Sequence, residues 1–265
     1  MSDESYTLGY GTGSVGLMAM RTAKSHAGFF LSELESGMRV LDIGCGPGTI
    51  TFGLARKVHP AEVIGVELSL EQTEAVSAIA NSKNLNLKFE EANAYSLPYR
   101  EESFDAVFMS AVIGNLKRPG DALSEVFRVL RKSALVGIKE FDHQANITHP
   151  PMEFSKVDEL HNRLRIHNGH DPDSGRKVRG YLNAAGFERV KTTATFQNIV
   201  APEGTRGAPL KEGIIREEWG PEFVDLGWAT QADIDRWIAQ SQEYTPGTDY
   251  FCALAWIEAL GYRPA

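Results

Sequence analysis

The chain has 265 residues, with 35 acidic against 27 basic side chains and a formal net charge of -8. That length accommodates one continuous α/β core without a second domain, and the acidic balance sets aside a strongly basic nucleic-acid-binding surface. The two cysteines, Cys45 and Cys252, offer neither a disulfide framework nor metal-ligand spacing, and the polar start Met1-Ser2-Asp3-Glu4-Ser5 and the lack of any long apolar run lead us to expect a soluble, cytoplasmic protein with no membrane partner.

In chain order, residues 14–34 read as helical, followed by a strand at 39–43 and a helix at 48–57. A strand at 62–66 leads to a helix from Leu70 to Asn81 and a strand at 85–90. Phe104-Asp105-Ala106-Val107-Phe108-Met109 forms a fourth strand. Pro119-Gly120 sets off an amphipathic helix at 121–130, and 135–141 is a fifth strand. Alternating strands and helices of this kind predict a doubly wound, mostly parallel sheet with helices on both faces. Beyond Asp142 the regularity slackens: a helix at 152–168, a turn at 171–175 opening a helix that Gly186 ends, a strand at 187–200, a loop from 201, a helix at 231–241 and a last strand at 250–257.

The most informative stretch is Val40-Leu41-Asp42-Ile43-Gly44-Cys45-Gly46-Pro47-Gly48-Thr49, a buried strand running into a glycine turn. Glycine lets backbone turn tightly and approach a ligand without side-chain obstruction. A dinucleotide fingerprint wants Gly or Ala where Thr49 stands, and the Asp42 carboxylate would repel a pyrophosphate. A cationic guest without phosphate suits the site better, and S-adenosylmethionine, with a sulfonium and an ammonium, is such a guest. Glu67 closes the next strand about 20 residues beyond the turn, the separation at which an acid meets ribose hydroxyls.

These residues carry a resemblance. Leu41-Asp42-Ile43-Gly44-Cys45-Gly46-Pro47-Gly48-Thr49-Ile50-Thr51, with Gly65-Val66-Glu67-Leu68-Ser69, Ser96-Leu97-Pro98-Tyr99 and Ser103-Phe104-Asp105-Ala106-Val107, resembles the class I S-adenosylmethionine-dependent methyltransferases. The branch is that of the ubiquinone/menaquinone-biosynthesis enzymes. The resemblance implies a Rossmann-like, seven-stranded sheet whose last strand is antiparallel, in a single domain. Residues 1–35 would be a helical cover, 36–144 the cofactor-binding half and 145–265 the substrate side. It implies S-adenosylmethionine contacts from Asp42, Gly44, Cys45, Gly46, Gly48, Glu67 and Leu68, from Asn93 and Ala94 beside the adenine, and from Ser110 and Ala111 near the methionine end. Arg21 would meet the methionine carboxylate or else be a surface residue, and Tyr6 and Tyr10 would serve as lid residues.

Two departures stand out. Asn93 replaces a frequent Asp and either accepts from the adenine amino group or forms a turn. Asn115 stands where many relatives carry a His, and a neutral amide is no general base. A further difference, Lys132-Ser133-Ala134-Leu135 in place of a Pro-Gly-Gly turn, is remote from the expected cofactor site.

Methyl transfer needs chiefly an aligned acceptor and exclusion of water, with a base only for a protonated nucleophile. Candidate bases are Glu140, Asp142, His143, His149, His167 and His170; His143 is the single choice among them, and its alternative reading is an exposed loop histidine. The histidines at 143, 149, 161, 167 and 170 lack zinc-site spacing, so no metal is expected. Phe154, Phe196, Trp219, Phe223, Trp228 and Trp237 either line an acceptor pocket or pack a core. The expected activity is methylation of a small apolar or aromatic metabolite. Two alternatives are a cyclisation or rearrangement on the same cofactor, and a non-catalytic cofactor-binding module.

Overall fold

The structure is a computed structural model, and it describes the chain outside residues 1–10, 72, 74–76, 79, 82, 150–154, 199–208 and 244–250. Its centre is a sheet of strands β1 (Val40–Ile43), β2 (Val63–Glu67), β3 (Leu87–Glu91), β4 (Phe104–Ser110), β5 (Leu130–Phe141), β6 (Ile147–His149), β7 (Glu188–Asn198) and β8 (Phe251–Tyr262). The order is β3-β2-β1-β4-β5-β8, and β8 also pairs with β6 and β7. Pairings among β1 to β5 are parallel and the three made by β8 are antiparallel.

Helices cover both faces, as the alternating pattern requires. On one face α2 (Ala23–His26), α3 (Gly28–Leu31) and α4 (Thr49–Val58) bury Ala23, Phe30 and Leu54 against Val40, Val63 and Phe108. On the other, α5 (Pro119–Val129) and α7 (Val178–Ala184) bury Leu123, Val126, Val178 and Leu182 against Leu41, Val107 and Ile138. Neighbouring strand residues Val40 and Leu41 thus serve opposite cores, the alternation a pleated strand imposes. Each such side chain contributes about 1.5–3 kcal/mol of burial.

A third apolar cluster stands apart from the sheet. It joins α6 (Ser155–His167), α8 (Pro209–Ile214), a π-helical turn at Ile215–Trp219, α9 (Gly220–Asp225) and α10 (Gln231–Glu243) through Val157, Leu164, Trp219, Phe223 and Trp237. Helix α1 (Thr12–Ala19) lies against it, with the Ser14 hydroxyl donating to Glu218 Oε2 at 2.8 Å.

Several sequence expectations are corrected. Among the described residues the sheet has eight strands, the addition being the short β6, which pairs with the N-terminal end of β8. The expected loop after 201 is helical over 209–225, because Ile215, Trp219 and Phe223 recur along one buried stripe. Pro221, which reads as a breaker, sits in the first turn of α9, where its missing N–H has no intrahelical role. Strand β5 begins at Leu130, so the Lys132-Ser133-Ala134 segment lies within a strand, with Ser133 at a left-handed φ of 62°. Strand β8 runs on to Tyr262, past Glu258, whose charge is met by Lys139 Nζ at 2.8 Å. Of the helix expected at 70–81, Ser77, Ala78, Ala80 and Asn81 are helical and several neighbours lie outside the described residues.

Candidate functional site

A cleft opens where β1 stands between β2 and β4, at the carboxyl ends of the strands. In doubly wound sheets, ligand crevices form where the strand order reverses in this way. Its lining includes Arg21, Asp42, Gly44, Cys45, Gly46, Glu67, Leu68, Asn93, Ala94, Ser110 and Ala111. Gly48 stands one step back, with a φ of 80°, and a Cβ there would lie 2.4 Å from the Phe89 ring. Its part is to shape the turn. Tyr6 and Tyr10 lie outside the described residues.

The turn is held from behind. The amides of Gly44 and Cys45 both donate to the Val66 carbonyl, at 2.8 and 3.1 Å. Gly44 has a φ of 69°, and a Cβ on it would sit 2.5 Å from Val112 Cγ2. Only glycine therefore lets the β1 turn and the loop after β4 approach so closely.

Glu67 accepts the Gly46 amide at 3.0 Å and the Leu68 amide at 2.9 Å, one on each oxygen. Each carboxylate oxygen has a second lone pair, so the group keeps acceptor capacity for a diol. Burial raises its pKa, against the two amide hydrogen bonds. Asp42 is deeper still, 2 % exposed, and accepts the Thr51 hydroxyl at 2.7 Å. Burial lifts its pKa to about 7, the Thr51 hydrogen bond opposing and the Glu67 charge adding. Asp42 is thus not the fully ionised anion that its position in the sequence implies. Burial also pushes the Cys45 thiol well up, which keeps it protonated and unreactive.

Asn93 meets the cleft, but its amide oxygen accepts the Tyr95 amide at 2.9 Å, so the turn-forming reading of this residue is realised. Asn115 donates to the Ala111 carbonyl at 2.8 Å and thereby braces Ala111, which has a left-handed φ of 57°. A non-glycine residue in that region costs of order 1–3 kcal/mol and persists where the surroundings over-determine it. Arg21 lies at the cleft with its guanidinium 5.4 Å from the Phe141 ring and 5.5 Å from that of Trp256. Its backbone carbonyl accepts the Thr49 hydroxyl at 2.6 Å. Met18, on α1, also lines the cleft; as an ordinary apolar residue on a short helix it gave no signal in the sequence.

The cleft contains unmet polar atoms. Ser110 Oγ and Asn115 Oδ1 are buried with no hydrogen-bond partner among the described residues. Such atoms cost about 1–3 kcal/mol each unless a ligand or water meets them. With the two buried carboxyls, the close-approaching glycine backbone and these orphaned atoms, the cleft fits a ligand that has hydroxyls to donate and a positive charge.

The candidate bases are dispersed. Glu140 is buried, with its pKa raised by that burial, and accepts the Phe141 and Gly114 amides at 3.0 and 3.3 Å. Asp142 is held bidentate by Arg176 at 2.6 and 2.7 Å. Both are committed to structure. His149 is exposed on β6, His167 lies beside Trp228, and the buried His170 donates its amide to the Arg165 carbonyl. His143 does not line the cofactor cleft. It stacks on Phe141 at 5.0 Å, the same ring that Arg21 covers from the cleft, and stands edge-on to His161 at 6.1 Å. Of the aromatic candidates, Trp219, Phe223 and Trp237 are buried, Phe196 is exposed and Trp228 is half-buried under Arg163, while Phe154 lies outside the described residues. Among the described residues no group of three His, Cys, Asp or Glu side chains could hold a metal ion, and no helix is long and apolar enough to cross a membrane.

Comparison with known proteins agrees with this geometry. A family model described as a methyltransferase domain matches residues 34–186. An uncharacterized methyltransferase of Schizosaccharomyces pombe is 34% identical over 187 residues, covering 67% of each chain. A ubiquinone/menaquinone biosynthesis C-methyltransferase of Rhizobium leguminosarum is 38% identical over 111 residues, 40% of this chain and 43% of that enzyme. The match thus spans less than half of the Rhizobium enzyme's length. The crystal structure of the YcgJ protein from Bacillus subtilis superposes with a TM-score of 0.61 at 22% identity, covering 90% of this chain and 97% of that one, which shows the shared fold. The chain belongs to the class I S-adenosylmethionine-dependent methyltransferases, in the branch of the ubiquinone/menaquinone enzymes, and S-adenosylmethionine is its cofactor.

Proposed function

We propose that this protein transfers a methyl group from S-adenosylmethionine to a small apolar or aromatic acceptor. The reading is carried by the convergence on one cleft of the Glu67 carboxylate, the bare Gly44–Gly46 backbone and the orphaned Ser110 and Asn115 oxygens. When bound, the cofactor supplies an electrophilic methyl on a sulfonium.

In this reading Glu67 holds the ribose hydroxyls and Asp42 balances positive charge. Leu68, Asn93 and Ala94 flank the adenine, Asn93 from a turn that its own oxygen fixes. Ser110 and Ala111 face the methionine end, and Arg21 stands ready for its carboxylate, with the bidentate geometry that guanidinium groups favour. Cys45, Gly46 and Gly48 shape the floor. The residues' main contribution to rate is alignment and exclusion of water, which needs no catalytic constellation. For an acceptor that must lose a proton, His143 is the preferred base, since Glu140 and Asp142 are already engaged. Its stacking on Phe141, which Arg21 also contacts, supports an acceptor position on that side of the cleft.

The test is titration calorimetry with S-adenosylmethionine and S-adenosylhomocysteine, with NADH as control. Micromolar binding of the first two is expected, weakened about 100-fold in Glu67→Ala through loss of hydrogen bonds to a charged group. Release of S-adenosylhomocysteine over a panel of apolar and aromatic acceptors then separates methyl transfer from the other two classes. An acceptor consumed without that release marks a cyclisation or rearrangement, and binding with no turnover marks a non-catalytic module.

A further inference from the structure

Behind the cofactor cleft, the loop after β4 is tied directly to the substrate-side helices. The Gly114 carbonyl accepts Arg165 Nη2 of α6 at 3.2 Å and the Asp171 amide at 3.0 Å. One turn before Arg165 on the same face of α6, His161 is 6 % exposed and lies flat on the Trp219 indole, centroids 3.8 Å apart at 13°. A path of rings then leads back to the cleft, from Trp219 through His161, His143 and Phe141 to Arg21.

Trp219 is 5 % exposed, and its indole N–H has no hydrogen-bond partner among the described residues. Trp237 of the same cluster is likewise without a partner for its indole N–H among the described residues, and what sets Trp219 apart is its stack on His161 at the head of the ring path to the cleft. The π-helical turn that carries Trp219 is a rare local geometry, frequent at functional sites.

We infer that the Trp219 N–H is the specificity-determining donor of the acceptor subsite, and that it recognises an oxygen on a flat, ring-bearing acceptor. The acceptor's oxygen accepts a hydrogen bond from the indole N–H at the edge of the His161–Trp219 stack, and its ring lies along the His143–Phe141 side toward the cleft. His161 is a positioning residue that fixes the indole plane. This assignment rests on the methyl-transfer reading for its meaning, but the binding it asserts is measurable without turnover.

The experiment uses the full chain saturated with S-adenosylhomocysteine and two probes of nearly equal shape, 4-fluorophenol and fluorobenzene, followed by fluorine NMR. The phenol is expected to bind about tenfold more tightly than fluorobenzene, the worth of one well-placed hydrogen bond to an otherwise unmet buried donor. Trp219→Phe, which keeps an aromatic ring and removes the N–H, should abolish that preference, while Trp237→Phe, which removes a second indole N–H of the same cluster without a partner among the described residues, should leave it intact. Equal binding of the two probes, no binding of either, or equal effects of the two substitutions would overturn the inference. Calorimetry with S-adenosylhomocysteine on each variant distinguishes these outcomes from misfolding, and its failure on the parent would count against the cofactor site instead.

Discussion

Replacing Asp42 by Asn tests the electrostatics of the cleft in a way that no acceptor is needed to read. In the folded protein the Asp42 carboxyl titrates near 7, against 3.8 when freely solvated, because burial outweighs the hydrogen bond from Thr51. Between those two values the folded chain binds more protons than the unfolded one, so stability falls as pH rises through the window. A shift of about three units at 1.36 kcal/mol each sets a cost of at most about 4 kcal/mol above pH 7. Asn accepts the Thr51 hydroxyl equally well and never ionises. The cofactor-free Asn variant should therefore be more stable than the parent at pH 8, by up to about 4 kcal/mol, with the advantage vanishing near pH 4. His26, whose pKa is lowered to about 3 by burial and by Arg21 and Lys139, works in the opposite sense from pH 6.5 downward, losing stability as pH falls. It is present in both proteins and cancels in the difference. Urea unfolding followed by circular dichroism between pH 4 and 8.5 gives the two curves. An advantage at pH 8 that is absent, or one that does not grow with pH, would refute the reasoning. The same variant should flatten the pH dependence of S-adenosylmethionine binding, which in the parent should strengthen as pH rises toward 7 and Asp42 ionises.

Gly44→Ala places a Cβ 2.5 Å from Val112 Cγ2 at a φ of 69°, so the turn and the loop after β4 must separate. Calorimetry should show cofactor binding lost, with unfolding free energy lowered by about 1–3 kcal/mol. Lys139→Met leaves Glu258 without its ion-pair partner at a site where the two side chains are 7% and 17% exposed. A loss of about 3 kcal/mol is expected by urea unfolding, with most of it recovered in Lys139→Met/Glu258→Leu; a double variant as unstable as the single one would show that the lysine acts through packing instead.

Glycine spacing and the acid at the end of β2 made the cofactor half legible, because a backbone that must approach a ligand leaves a local imprint. Short apolar runs bounded by turns place β1, β2 and β4 within about a residue of where they stand, since strands buried on both faces need continuous apolar sequence. The same locality explains the failures. Helices α8 and α9 leave no local signature because Gly213, Gly220 and Pro221 break their propensity, while their stability comes from Ile215, Trp219 and Phe223 meeting a distant α6. The far end of β8 is not legible locally, because Glu258 reads as polar until Lys139, more than a hundred residues away, neutralises it.

Site chemistry divides along the same line. The sequence by itself marked the glycine turn after β1 and the acid at the end of β2, because turn position follows from local pattern. Only the tertiary structure decided their states. Burial sets Asp42 near neutrality, Tyr95 fixes the Asn93 oxygen, and Arg176 and the Gly114 amide take Asp142 and Glu140 out of the pool of bases. Those outcomes depend on desolvation and on partners far apart in the chain, quantities that no local reading of residues contains.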